Sequence, residues 1–383
     1  MNADPLTQPK VAVIGAGPGG YEAAIRLNQY EIPTILFEKE RLGGVCLNWG
    51  CIPTKALVRS AELIHEMNAA VEYGIKPHPA VFDFKDIQTR KNKVVEQIVS
   101  GIELLIRKRK IPVINSAVIS VEKGDRGFIL TTAGGEQYGA EFVIIATGSI
   151  PQELQGVEAD ETNILTSTGM LALNELPKEL VIIGGGVIGC EFASIFNALG
   201  VQVTIIEYLP RLVSTEDEEI SKRLMMALKK SGIRINLSLG VESALIHDGK
   251  VRLMLSDGSE LETEKVLLSV GRKPVCDLDW IGGKPETNKG FIVINEKMQT
   301  SLDGVYAIGD VTGKMLLAHT ASKQGLLVAE QIKATLHDKE ALHHNLIYSN
   351  IPRCTFTYPE VGSVGLTESE AKEQYGEIIT GRF

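Results

Sequence analysis

Cysteine is scarce: 5 in 383 residues, too few to staple a secreted scaffold of this length. No apolar run reaches the ~20 residues that a membrane-spanning helix needs. The longest, 180–189, is broken by glycines. Basic charge is in deficit, with 39 Lys and Arg against 48 Asp and Glu for a net charge of −9. No cationic surplus remains to neutralise a phosphate backbone. Residues 1–10 carry neither a charged-then-apolar signal pattern nor an Arg-rich presequence. These absences point away from nucleic acid, membrane and export. They make a soluble cytoplasmic protein the expectation, with its cysteines as thiols unless two are placed for chemistry.

The rest of the composition, 44% apolar and 23% charged, is that of a globular protein. The length predicts about two to three domains. Glycine is in excess, 38 residues against a usual share of roughly 7%, which predicts tight turns or backbone that a ligand approaches closely.

Residues 10–15 read as a short buried strand, 18–30 as a helix and 34–37 as a second strand, together a βαβ unit. An amphipathic helix is expected over 84–107, with Ile87, Val94, Ile98, Ile102 and Leu105 on its apolar face. The basic run 107–110 suits a helix C-terminus. Strands with turns at Gly124-Asp125 and Gly134-Gly135 lead to a buried strand at 142–145 and then Ala146-Thr147-Gly148-Ser149. After a polar crossing over 151–178 the pattern restarts, with a strand at 180–183, a helix at 187–199 and a strand at 201–206. Two βαβ units about 170 residues apart indicate a duplicated domain.

Each unit carries a Gly-x-Gly-x-x-Gly loop between strand and helix: Gly15, Gly17 and Gly20 in the first, Gly184, Gly186 and Gly189 in the second. In such loops the first glycine turns the chain, the second admits a pyrophosphate and the third lets helix and strand pack closely. An acid ends the following strand 23 residues after the first glycine in both cases, Glu38 and Glu207. A carboxylate there binds ribose hydroxyls. Glu207 would repel a 2′-phosphate, which favours NAD over NADP, although Arg211 could supply a clamp.

Cys46 and Cys51 lie in GGVCLNWGCIPTK directly after the first unit. A regular helix holds positions five apart at about 8–9 Å, beyond disulfide reach, so a bridge needs a distorted segment, which Gly50 permits. A redox dithiol beside a flavin, half of a zinc site and two buried thiols are the alternatives at this point. Cys190, Cys276 and Cys354 are isolated and read as packing residues.

Together the two fingerprints, GGVCLNWGCIPTK, ATGS and TSLDGVYAIGD (300–310) resemble the pyridine nucleotide–disulfide oxidoreductases over nearly the whole chain, most of all the dihydrolipoamide dehydrogenases. The resemblance implies an α/β fold of two Rossmann-like dinucleotide-binding domains, the FAD domain discontinuous, plus part of a C-terminal α+β interface domain. The boundaries so implied are 1–150 and 276–345 for the FAD/central domain, 151–275 for the NAD domain and 346–383 for the interface fragment. FAD falls to Gly15, Gly17, Gly20, Glu38, Thr147, Gly148, Asp310 and Ala318. NAD falls to Gly184, Gly186, Gly189, Glu207, Val241 and Gly271. Cys46 becomes the interchange thiol and Cys51 the flavin-contacting one, with Lys55 and Glu191 as an ion pair near the flavin; Lys55 thus counts in both the catalytic and the cofactor set. No metal is implied.

The implied reaction carries electrons from dihydrolipoamide through Cys46–Cys51 and FAD to NAD⁺. The implied partners are a lipoyl domain of a 2-oxoacid dehydrogenase or glycine cleavage complex and a second copy of the full-length chain. One departure stands out: the family's C-terminal His-Glu element is absent before Phe383, as in a truncated form, and His319, His343 and His344 cannot replace it. Full lipoamide turnover is therefore in question, and residues 346–383 are expected to be loosely ordered or exposed. A related glutathione or mercuric reductase, or a catalytically impaired dinucleotide-binding protein, are the competing readings.

Overall fold

The computed structural model describes residues 9–76, 81–125, 127–337, 339 and 345–383; His343 and His344 lie outside them. The chain divides into two compact units, Met1–Ile52 with Val95–Ile150 and Arg272–Tyr348, and Pro53–Val94 with Pro151–Gly271 and Ser349–Phe383. Residues 53–94 and 349–383 thus cluster with the segment read as the NAD domain.

The first unit is built on a five-stranded parallel sheet in the order Val305–Ala307, Phe142–Ile145, Val11–Ile14, Thr34–Phe37, Val113–Ile114. Val11–Ile14 and Thr34–Phe37 are buried at every position. That is why they read as continuous apolar runs rather than alternating ones. Helix Pro18–Gln29 packs on helix Ala318–Leu336 with almost no separation. A Cβ on Gly325 would lie 2.5 Å from the Gly19 carbonyl oxygen. A four-stranded sheet of Asp279–Ile281, Val118–Gly124, Gly127–Thr132 and Gln137–Ala140 completes the unit.

The second unit repeats the plan. Its parallel sheet runs Arg234–Leu237, Gln202–Glu207, Glu179–Ile183, Lys265–Leu268, Ile164–Leu165. Helix Val187–Ala198 is buried from Gly189 to Phe196. An antiparallel sheet of Val241–His247, Lys250–Leu255 and Glu260–Thr263 closes a separate apolar cluster. Among the described residues, no helix is long and apolar enough to cross a membrane.

Two expectations need correction, and a third is decided between its alternatives. Helix Phe84–Lys108 forms, but its buried stripe is Phe84, Gln88, Lys91, Val95, Val99 and Ile106, while Ile98 and Leu105 are exposed. Apolar periodicity missed it because two of the stripe's positions are polar. Gln88 donates to the Leu173 carbonyl at 2.8 Å, and Lys91 donates to that of Leu171. These bonds satisfy carbonyls at the end of helix Ser167–Ala172. Burial pushes the Lys91 ammonium below the usual lysine range.

Of the two alternatives expected for the C-terminal segment, exposure holds over much of residues 349–383, while loose order does not. Arg353–Thr355 pairs with Val361–Ser363, and helix Glu368–Tyr375 carries a Thr367/Glu370 capping box. Buried Glu216 pairs with Arg353 at 3.4 Å, and Asp217 accepts from the Glu368 amide at 2.7 Å. These polar anchors stand in for the apolar core that so short a segment lacks. Cys354, expected to pack, is exposed, whereas Cys190 is buried.

Candidate active site

In the first loop, Gly15 holds φ +99°, and a Cβ there would lie 2.3 Å from the Ala146 carbonyl oxygen. A Cβ on Gly20 would lie 1.9 Å from the Gly15 carbonyl oxygen. The chain's own packing forces both to be glycine. Gly17 differs: nothing lies within 4 Å of its would-be Cβ. No side chain caps helix Pro18–Gln29, which starts there. An open glycine at an uncapped helix start is the cradle that a pyrophosphate fits. Glu38 is held in place by the Ala16 and Glu40 amides, which donate to it at 2.8 and 2.9 Å.

The second loop repeats this almost atom for atom. Gly184 has φ +107° with its would-be Cβ 2.4 Å from the Ser269 carbonyl oxygen, and that of Gly189 is 2.0 Å from the Gly184 carbonyl oxygen. Gly186 is open. Glu207 is buried and accepts from the Gly185 amide and from the Leu209 amide, the latter at 2.7 Å. Arg211 does not supply the clamp its position allowed. It donates to the Ser214 and Glu216 carbonyls at 2.6 and 3.1 Å.

Glu207→Gln is therefore expected to lower kcat/KM for NADH by about tenfold or more, on the scale of a lost charge-assisted hydrogen bond. Little NADPH activity should appear, because Arg211 stays engaged. A gain of NADPH activity comparable to the NADH loss would contradict this assignment of Arg211.

Val241 lies in the apolar cluster with Val251, Leu253 and Leu255 and pairs with Leu255 at the start of its strand. The Leu239 amide beside it donates to the Glu207 carbonyl at 3.0 Å, so this turn sits at the acid's end of the strand. Gly271 has φ +128°, and its carbonyl accepts from the Gln152 amide at 2.9 Å.

The cysteine segment is seated directly on the first loop. The Gly43 amide donates to the Ala16 carbonyl at 2.9 Å, and a Cβ on Gly44 would lie 2.7 Å from the Gly17 Cα. Helix Gly44–Trp49 then stops at Gly50 (φ −143°, ψ −107°), and helix Cys51–Ala69 begins. This break brings the Cys46 and Cys51 Cα atoms to 4.6 Å, and the two are disulfide-bonded. Cys190, by contrast, is buried, and burial beside Glu207 and Glu191 pushes its thiol up to about 12, which keeps it unreactive.

Also in the first unit, Asp310 lies in the tight turn Gly309–Thr312 after strand Val305–Ala307. Its Oδ2 accepts from the Ser149 hydroxyl at 2.5 Å. Ser149 in turn takes two bonds from the Arg272 guanidinium, each 2.7 Å, at its hydroxyl and its carbonyl. Arg272 is mostly buried, and desolvation lowers its pKa although Asp310 opposes this. The Thr147 hydroxyl donates to the Val275 carbonyl at 2.5 Å, and the Gly148 carbonyl accepts from the Val275 amide at 3.0 Å. Helix Ala318–Leu336 starts at Ala318 with no side-chain cap. In the second unit, the Lys55 ammonium lies 3.3 Å from the Glu191 carboxylate, with Glu191 buried and Lys55 about one-third exposed.

Residues 9–325 match the family described as pyridine nucleotide-disulphide oxidoreductase, and residues 351–383 match its dimerisation domain. The chain belongs to the pyridine nucleotide-disulphide oxidoreductase family. Among curated relatives, the dihydrolipoyl dehydrogenase of Chlamydia pneumoniae is 41% identical over 94% of this chain and 77% of its own. That of Bacillus subtilis is 38% identical over 98% and 81%. Among solved structures, LpdA of Mycobacterium tuberculosis superposes with a TM-score of 0.84 at 23% identity, covering 96% of this chain and 80% of that one. The HOCl-induced flavoprotein disulfide reductase RclA of Escherichia coli gives 0.80 at 27%, over 96% and 80%.

The geometry of the oxidoreductase rests partly on residues to which pattern reading gave no role. Ala146 and Ser269 are equivalent floors beneath the two loops, each filling the space behind a first glycine. Arg272 and Ser149 fix Asp310. Ala146 and Ser149 lie inside the quoted ATGS and Arg272 beside Gly271, but their roles gave no signal, because a carbonyl contact leaves no mark on residue type.

Proposed function

We propose that the chain oxidises dihydrolipoamide with NAD⁺, using FAD and the Cys46–Cys51 disulfide. The observation that carries this is the disulfide itself, held by Gly44 against Gly17 of an open dinucleotide loop. The named relatives, 38–41% identical, support the substrate.

Gly15, Gly17, Gly20, Glu38, Thr147, Gly148, Asp310 and the start of helix Ala318–Leu336 would hold FAD. Gly184, Gly186, Gly189, Glu207, Val241 and Gly271 would hold NAD. When bound, the flavin accepts an electron pair from the protein dithiol and supplies a hydride to NAD⁺.

The chain's own part is thiol exchange. A substrate thiolate attacks the Cys46 sulfur, the Cys46–Cys51 bond breaks and Cys51 leaves as a thiolate. The second substrate thiol, as its thiolate, then displaces Cys46, so the substrate departs as a disulfide and both cysteines are reduced. Glu191 holds the Lys55 ammonium, a fixed positive charge on the same helix as Cys51. A lipoyl domain of a 2-oxoacid dehydrogenase or glycine cleavage complex fits as the donor, and a second copy of the chain fits the dimerisation segment. The cytoplasm fits as the compartment, since the reaction itself regenerates the Cys46–Cys51 disulfide between turnovers.

The test is anaerobic. The purified protein should carry a flavin absorbance that NADH bleaches, and lipoamide with NAD(H) should exceed glutathione disulfide and Hg²⁺ with either coenzyme. Absence of flavin, or a preference for NADPH with glutathione disulfide or Hg²⁺, would overturn the reading.

A further inference from the structure

Residues 356–358 of the C-terminal segment grip two helices of the second unit at once. The Phe356 amide donates to Glu191 at 3.0 Å, and the Tyr358 amide donates to the Ser194 hydroxyl at 3.0 Å. Both acceptors are buried and lie one turn apart on helix Val187–Ala198. On the other side, the Lys55 ammonium sits over the Phe356 ring, 4.3 Å from its centroid. His65 stacks on Tyr358 with centroids 4.4 Å apart and rings 7° from parallel. Lys55 and His65 both belong to helix Cys51–Ala69.

Phe356 therefore touches both members of the Lys55–Glu191 pair, the acid through its amide and the cation through its ring. We infer that Phe356 is a positioning residue for that pair, so that the segment matched to dimerisation also sets the charge one turn along the helix from Cys51. The inference rests on the proposed function. An amide bond to a carboxylate is charge-assisted and directional, and it holds Glu191 independently of Lys55. A ring face attracts an ammonium through its quadrupole. Lysine's stem is long and flexible, and Lys55 is about one-third exposed, so a second contact is what keeps the ammonium from swinging to solvent. Tyr358 and His65, two residues on, pin the segment and so the height of the Phe356 ring.

The amide survives any side-chain change, so substitutions at 356 isolate the ring. The holoenzyme is mixed with NADH in a stopped-flow instrument, and KM, flavin potential and melting temperature are recorded in parallel. Phe356→Leu should slow flavin reduction about three- to tenfold, the scale of a partly exposed cation–π contact or somewhat above it. It should shift the flavin potential, leave the KM for NADH as it was and lower the melting temperature by only a few degrees, since Phe356 also packs against the apolar core. Phe356→Tyr and Phe356→Trp, which keep a ring face, should stay within about twofold of the parent. In a Lys55→Met background, Phe356→Leu should add no further slowing.

Equal slowing by the leucine and aromatic replacements overturns the inference, as does full slowing by leucine in the Lys55→Met background, since either marks plain packing. A parental rate in Phe356→Leu overturns it while leaving the proposed function standing. A parent flavin that NADH does not reduce overturns both.

Discussion

Cys51→Ser is expected to abolish lipoamide turnover, by about 10³-fold or more, the scale on which loss of a covalent catalytic group acts. NADH should still bleach the flavin in the same variant. The reason is geometric as well as chemical. Cys51 opens helix Cys51–Ala69 immediately after the Gly50 break, and only that break brings it within bonding distance of Cys46. Serine fits the same space and keeps the helix start, so the fold is preserved while the exchange chemistry is lost.

Reductive titration supplies a count that turnover cannot. The parent should accept two electron pairs, one at the disulfide and one at the flavin, and the variant one. If Cys51→Ser takes up as much reductant as the parent, or retains more than about a tenth of its lipoamide activity, the Cys46–Cys51 pair is not the conduit.

The second large effect separates two glycines three residues apart. Gly20→Ala should destabilise the fold by about 2–4 kcal/mol, because its Cβ would stand 1.9 Å from the Gly15 carbonyl and helix and strand would have to part. Gly17→Ala should leave the melting temperature of the flavin-free protein nearly unchanged, since nothing lies within 4 Å of the new methyl group. Its cost should fall on the flavin, with affinity lower by about 100-fold, because the methyl group projects where a pyrophosphate would approach the backbone. Differential scanning of the flavin-free forms and fluorescence titration with FAD measure the two effects. Equal flavin affinity in Gly17→Ala and the parent would remove the first loop from the flavin site.

Much of this was legible in the sequence because local signals and tertiary environment agreed. The strands Val11–Ile14 and Thr34–Phe37 are buried on both faces, so their apolar runs announce them. Both fingerprints place their first and third glycines where steric exclusion demands them and leave the second open, and the two acids end their strands at the same offset. Less was legible where side-chain character and burial part company. The stripe of helix Phe84–Lys108 shifted because Gln88 and Lys91 are buried for the sake of carbonyls on another helix. The order of residues 349–383 was hidden because its anchors, Glu216, Asp217, Glu191 and Ser194, lie more than a hundred residues upstream.

By itself the sequence determined the duplicated dinucleotide-binding plan, the two loops with their acids and the spacing of Cys46 and Cys51. Each of these is a constraint between neighbours in the chain, where residue type and backbone geometry are directly linked. The tertiary structure alone decided that Gly17 is open while Gly20 is not, that Arg211 is spent on loop carbonyls and that Arg272 and Ser149 fix Asp310. It likewise decided that Phe356 sits on the Lys55–Glu191 pair. Those are contacts between distant segments, many of them through backbone amides and carbonyls that every residue carries alike, so no choice of side chain records them.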